Sequence, residues 1–131
     1  MEASARQAQA TSFLRKAKEY LAVAEDSLAQ GRLTAAAGNA MHAGINAKDA
    51  IVVSVTGSTG KRSDHQQAVK ELRLALEGTP DAAQYEKVLR ELVSAKSEVE
   101  YGVFMIGETQ AKGLLRRAQT LVTRASRAVV S

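Results

Sequence analysis

The feature that most constrains this chain is a stripe of alanine and leucine repeated at steps of three and four residues. That spacing places side chains on one face of an α-helix. In the first segment the stripe consists of Ala10, Leu14, Ala17, Leu21, Ala24 and Leu28. It predicts a first helix over residues 3–30, ended by Gly31. Twenty-four alanines against five aromatic residues indicate helices that approach one another closely through small side chains.

Two further segments continue this pattern. The second helix is predicted over residues 33–55, and its buried face consists of Ala36, Ala40, Ala43, Ala47, Ala50 and Ile51. A polar, glycine-containing loop follows. Ser63 and Gln66 then have the spacing of a capping box, in which each side chain bonds the other residue's backbone amide, so a third helix is predicted over 64–77.

The remaining residues predict two more helices. Thr79 as N-cap and Pro80 at the first helical position predict a fourth helix over 80–100. The apolar segment 101–107 interrupts the pattern without becoming polar, and we predict a packed loop there. A final helix is predicted from Glu108 nearly to the C-terminus. Five helices with short links predict an all-α, antiparallel bundle of four to five helices in one domain.

Composition excludes several classes of function. The chain contains no cysteine, which excludes disulfides, thiol catalysis and thiolate metal sites. Its two histidines, His42 and His65, are too far apart for a short metal-binding pair, so we expect neither a metal nor another cofactor. The sequence does not contain serine, histidine and an acid in the order of a catalytic triad, and it shows no evident pair of carboxylates. It therefore gives no indication of a general hydrolase. A formal net charge of +4 permits nucleic acid as a partner without requiring it.

The distribution of apolar residues bears on location and on partners. Apolar runs such as 51–53 are far shorter than the roughly 20 residues that a membrane-spanning helix needs. The polar beginning, residues 1–6, lacks the apolar core of a signal peptide. We therefore expect a cytoplasmic protein with no membrane contact. Because an alanine-rich core buries little area per residue, we also expect a homodimer or another partner to cover a further face.

Two sets of polar residues are candidate binding surfaces. The first is spaced at three, four and three residues along the second helix and consists of Asn39, His42, Asn46 and Asp49. Such spacing places the four side chains on one face. We favour a solvated face, since a small bundle needs a wet side. The alternative is a groove or dimer seam, in which these groups would be hydrogen-bonded to one another.

The second set lies on the last helix, which has no acidic residue after Glu108. Its cations are Lys112, Arg116, Arg117, Arg124 and Arg127. Cations near a helix C-terminus are favoured by the helix dipole, and a solvated helix is the favoured interpretation because no aromatic residues are interleaved for base stacking. A stripe of phosphate contacts, above all through Arg116, Arg117 and Arg124, is the alternative.

Several segments, taken in order, resemble the HEPN domain family along most of the chain. The resemblance is carried by Phe13–Ala24, Gly31–Ala37, the helix with Ala40, Ala43, Ala47 and Ala50, a basic loop ending in His65, Lys96–Tyr101 and Glu108–Ala111. The resemblance implies an all-α bundle that forms homodimers. Members are often encoded beside a minimal nucleotidyltransferase or within a toxin–antitoxin or defence locus.

The catalytic motif of the family departs from its pattern here. Active members are metal-independent ribonucleases with Arg, four to six residues and His, and the motifs of two subunits meet in the dimer cleft. At the family position this chain has Lys96 and Tyr101, and no Arg stands at the required distance before His42 or His65. The resemblance therefore implies a ribonuclease motif that is not intact.

The substitution has a chemical consequence. A phenol ordinarily ionises near pH 10 and cannot exchange protons near neutrality as imidazole does, while lysine lacks the bidentate fork of arginine. We therefore expect a non-catalytic module that binds RNA, a nucleotide or a partner protein, with Lys96 and Tyr101 as candidate contacts. Two alternatives stay open: an active metal-independent ribonuclease toxin, and a structural scaffold for a second protein.

Overall fold

The computed structural model describes residues 2–58, 64–103 and 105–129. These residues form α1 (Glu2–Ala29), α2 (Leu33–Thr56), α3 (His65–Ala75), α4 (Ala82–Val93), α5 (Lys96–Tyr101) and α6 (Glu108–Val129). No strand occurs in these three ranges, so the predicted all-α class is confirmed. Within them, no helix is both long and apolar enough to span a bilayer.

The core is organised around α2, which packs against each of the other five helices. The predicted stripes of α1 and α2 face this core: Ala10, Ala17, Ala24, Ala36, Ala40, Ala43, Ala47, Ala50 and Ile51 are fully buried. Gly31, with a φ of 76°, allows the left-handed turn that reverses the chain between the two helices. Close packing through small side chains is therefore the main interaction of this hairpin.

Helix α2 also approaches α4 closely, at Gly44. A β-carbon at this position would overlap the Cδ2 atom of Leu92, and it would lie 3.4 Å from Cδ1 of Leu121. Both leucines are fully buried, so neither has open space to move into. Glycine is required here by the separation of the helices and not by its own backbone conformation.

Helix α3 begins at His65, one residue later than its predicted start. Its N-cap is Asp64, whose carboxylate accepts a hydrogen bond of 2.8 Å from the backbone amide of Gln67. The predicted cap, Ser63, lies outside the described residues. A side-chain oxygen three residues before a free amide is the usual N-cap arrangement, and aspartate supplies it here.

The predicted start of the fourth helix is wrong. The Thr79 hydroxyl donates a hydrogen bond of 2.7 Å back to the Leu76 carbonyl, and the N-cap position of the helix that follows is Asp81 and not Thr79. Helix α4 begins at Ala82 after Asp81, which makes no side-chain cap. The reason is that a threonine hydroxyl bonds equally well to a carbonyl of the preceding turn.

The predicted single helix over 80–100 is also wrong, because a turn at Ser94 and Ala95 divides it into α4 and α5. The Ser94 hydroxyl donates to the Glu91 carbonyl at 3.2 Å, and this local bond competes with regular helical hydrogen bonding. The described chain therefore has five helices of eleven or more residues and one of six.

The segment between α5 and α6 is not the packed loop that was predicted. Val103 and Met105 are 89% and 83% exposed, whereas Ile106 packs into the core at 4% exposure. Phe104 lies outside the described residues. Among the described side chains of this segment, Ile106 is therefore the apolar one that is buried, and Val103 and Met105 face solvent.

Candidate functional site

The polar face of α2 bonds mainly to its own backbone. The Asn39 and Asn46 amides each donate a hydrogen bond of 2.9 Å to the carbonyl four residues earlier. Both residues are half-buried. The ring of His42 lies 5.1 Å from the ring of Tyr20 on α1, at an interplanar angle of 33°. These three polar residues of the predicted set therefore form local contacts and no shared network with one another.

Asp49, the fourth member of the set, belongs to a charged cluster that sequence reasoning missed. The ammonium group of Lys48 lies 2.5 Å from Oδ1 of Asp49 and 2.7 Å from Oε1 of Glu71 on α3. Lys48 is 1% exposed, and the two carboxylate side chains are 16% and 12% exposed. The cluster connects α2 to α3 through a cation that is almost fully removed from water.

A weak sequence signal marks Lys48. With Gly44 and Ile51 it occupies positions i, i+4 and i+7, which share one helix face, and both neighbours are buried. A lysine within a buried stripe is rare unless it is paired. Its position was therefore readable from the sequence, but the partner on α3 was not.

The cations of α6 are largely engaged within the molecule. Lys112 pairs with Glu108 at 2.9 Å, and Nε of Arg117 lies 3.2 Å from Oε1 of Glu91 on α4. The exposed Arg116 side chain makes no ion pair or hydrogen bond within the described residues. It lines a shallow depression of about 240 Å³ together with Arg117, Gly113 and Thr120.

The two arginines near the end of α6 both contact Tyr85 of α4. The guanidinium of Arg124 lies 5.7 Å from the centre of the Tyr85 ring, within cation–π range. Nη2 of Arg127 donates a hydrogen bond of 2.7 Å to the phenol oxygen of the same residue. Both cations therefore help to attach α6 to α4, which reduces the number of guanidinium groups that an external phosphate would reach.

Lys96 and Tyr101 lie at the two ends of α5. Five residues along a helix correspond to a rotation of about 140°, so the two side chains are not on one face. Both are exposed, Tyr101 to 76%, and neither makes an ion pair or side-chain hydrogen bond among the described residues. The structure therefore presents an ammonium group and a phenol to solvent, separated around one short helix.

Across the described ranges, no group of three or more histidine, aspartate and glutamate side chains is arranged to hold a metal ion. The His65 side chain, one of the two imidazoles of the sequence, lies outside the described residues.

Comparison with known proteins adds no family. No protein-family model matches the chain, and no curated protein matches its sequence.

Proposed function

We propose that this chain is a cytoplasmic HEPN-like module that acts by binding RNA without cleaving it, within a toxin–antitoxin or defence-type two-component system. The observation that carries the proposal is the composition of α5. Where a ribonuclease of this type has arginine and histidine, this helix offers Lys96 and Tyr101. Neither side chain is an imidazole, the group that ordinarily exchanges protons in such a ribonuclease, and lysine lacks the planar fork with which arginine binds a phosphate.

A binding role is supported by the availability of these groups. Because Lys96 and Tyr101 have no partner among the described residues, contact with an external phosphate breaks no internal ion pair. The Arg116 side chain on α6 is available in the same way. Sequence-independent RNA affinity comes from such lysine and arginine contacts with phosphates.

A homodimer is part of the proposal. Tyr101, Val103 and Met105 are three of the large apolar side chains that the described residues expose, and they lie within five residues of one another. Clustered exposed apolar side chains are typical of interaction surfaces. We expect a molar mass near twice 13.9 kDa by light scattering. A minimal nucleotidyltransferase is the proposed second component of the system.

The test of the non-catalytic role is an RNA-degradation assay at neutral pH with chelator present. Wild-type protein is compared with Lys96→Ala and Tyr101→Phe, and Lys18→Ala on the exposed side of α1 serves as the matched lysine control. We expect no cleavage by any of the four proteins. Cleavage by wild type that is lost in the α5 variants but kept in Lys18→Ala would establish an active ribonuclease instead.

The test of RNA binding is fluorescence anisotropy with a labelled single-stranded RNA at several salt concentrations. Lys96→Ala and Arg116→Ala are each expected to lower the slope of log affinity against log salt by about one. Lys18→Ala should leave the slope unchanged. A wild-type protein without RNA affinity at low salt refutes this role and favours the scaffold for a second protein.

A further inference from the structure

A cavity of about 400 Å³ lies between α3 and α4, and none of the site residues predicted from the sequence lines it. Its lining consists of Gln66, Val69, Lys70, Arg73, Glu86, Arg90, Val93 and Ser94. The lining residues follow one stripe on each helix, at spacings of three or four residues. Three of them are cationic and one is anionic, so the groove carries a net positive charge.

Two guanidinium groups from different helices converge on one point of this groove. Nη2 of Arg90 lies 2.7 Å from Oε1 of Glu86, and Nη1 of Arg73 lies 3.9 Å from the same oxygen. A single carboxylate oxygen, Oε1 of Glu86, is therefore within ion-pair distance of both arginines. The Glu86 side chain is only 17% exposed and forms an ion pair with both guanidinium groups.

The arginines retain donors for an external anion. Arg73 and Arg90 are 53% and 57% exposed, whereas each guanidinium has five N–H donors and Glu86 occupies only part of them. Lys70 adds a third cation one helical turn from Arg73. Three cations and one carboxylate line the same groove, and this excess of positive charge favours a group with two negative charges over one with a single charge.

The rest of the groove suits the organic part of such a ligand. Val69 and Val93 are 7% and 3% exposed and form an apolar floor. Gln66 is exposed at the edge, where its amide can both donate and accept hydrogen bonds. The volume suits one nucleotide unit and not an extended strand.

We propose that the groove between α3 and α4 binds the phosphate monoester of a single nucleotide, held by Lys70, Arg73 and Arg90 over the valine floor. The proposal rests on the binding role proposed above and adds the site and the chemical group recognised. The monoester has two sources, a free nucleotide or the 5′-phosphorylated end of an RNA. Glu86 positions the two guanidinium groups and competes with the ligand for them.

The experiment measures affinity by calorimetry and maps the site by amide chemical shifts in nitrogen-15 NMR, using wild-type protein. The probes are AMP, adenosine, and a short oligouridine with either a 5′-phosphate or a 5′-hydroxyl. We expect AMP to shift amides of α3 and α4, and adenosine to bind at least tenfold more weakly, since it lacks the group that makes the charge-assisted bonds. Preference for the phosphorylated oligouridine over AMP identifies an RNA end as the source; the reverse preference identifies the free nucleotide.

Variants separate the site from general charge. Arg73→Gln with Arg90→Gln should weaken AMP binding by at least tenfold, whereas Arg15→Gln with Lys18→Gln removes the same charge from α1 and should change it less than twofold. Lys70→Gln, which breaks no ion pair of the described residues, should weaken AMP severalfold without affecting the fold. Glu86→Gln should tighten AMP binding by removing the competing carboxylate.

Three results would overturn the groove assignment. They are equal affinity for AMP and adenosine, shifts confined to residues outside α3 and α4, and tighter binding of a hexaglutamate peptide than of AMP, which indicates an acidic protein partner. If RNA anisotropy responds to the α5 variants while the groove variants have no effect, this inference fails and the proposed function stands. If neither oligouridine binds but AMP does, the proposed RNA role fails and the groove stands.

Discussion

Replacement of Lys48 by methionine tests whether the buried cluster between α2 and α3 holds the two helices together. Methionine keeps the length of the side chain and removes the ammonium group. The change leaves the carboxylates of Asp49 and Glu71 without the cation that lies 2.5 and 2.7 Å from them. Both ion pairs of Lys48 are then lost in a region that water reaches poorly.

The expected loss of unfolding free energy follows from the burial of the Lys48, Asp49 and Glu71 side chains. Removal of one partner from a buried ion pair costs about 3–5 kcal/mol. Because the two carboxylates are 16% and 12% exposed and methionine regains some apolar burial, we expect the lower end, about 3 kcal/mol of unfolding free energy. For a domain of this size that corresponds to a decrease in Tm of roughly 10 °C.

The assay is urea unfolding followed by far-UV circular dichroism. Glu71→Gln removes one of the two negative charges, so the double variant Lys48→Met/Glu71→Gln should be more stable than the sum of the single losses by about 1–2 kcal/mol. The control is Lys18→Met on the exposed side of α1, expected within about 0.5 kcal/mol of wild type. A Lys48→Met loss below about 1 kcal/mol, or additive losses in the double variant, would refute the argument.

Two further predictions concern local packing and capping, and the same unfolding experiment checks both. Gly44→Ala should lower the free energy of unfolding by about 1–3 kcal/mol, because the added methyl group overlaps buried Leu92. Gly38→Ala adds a methyl group that meets no atom within 4 Å and should raise the free energy of unfolding by about 0.5–1 kcal/mol. Equal effects of the two substitutions would show that the separation of the helices at Gly44 is unimportant. Asp64→Ala should lower the free energy of unfolding by about 1 kcal/mol, because it removes the hydrogen bond from the Gln67 amide. An unchanged midpoint of urea unfolding would show that this cap adds no stability.

The two long N-terminal helices show what periodicity determines. Their predicted ranges, 3–30 and 33–55, agree with α1 and α2 to within a residue or so, and the final helix begins at Glu108 as predicted. These helices are long and carry an unbroken apolar stripe, so the signal is summed over many turns. Gly31 then marks the boundary locally through its left-handed backbone.

The observed boundaries of the shorter helices agree less well with those predicted from the sequence. No glycine or proline marks the turn at Ser94 and Ala95, where the Ser94 hydroxyl donates to the Glu91 carbonyl. The cap predicted at Thr79 is wrong, and the Thr79 hydroxyl donates to the Leu76 carbonyl of the preceding turn. A serine or threonine hydroxyl has several backbone partners within reach. Which of them it takes depends on how the neighbouring turns are held by the core.

The candidate sites divide in the same way. The sequence alone determined an all-α chain and the faces of its long helices, whereas the correspondence of Lys96 and Tyr101 to a family motif stays a prediction. Only the tertiary structure decided that Lys48 meets Glu71, that Arg117 meets Glu91, and that Arg73 of α3 joins the Glu86–Arg90 pair of α4. Helical periodicity specifies which face a side chain occupies. The partner across an interface depends on the separation and register of two helices, and these are set by packing over the whole core.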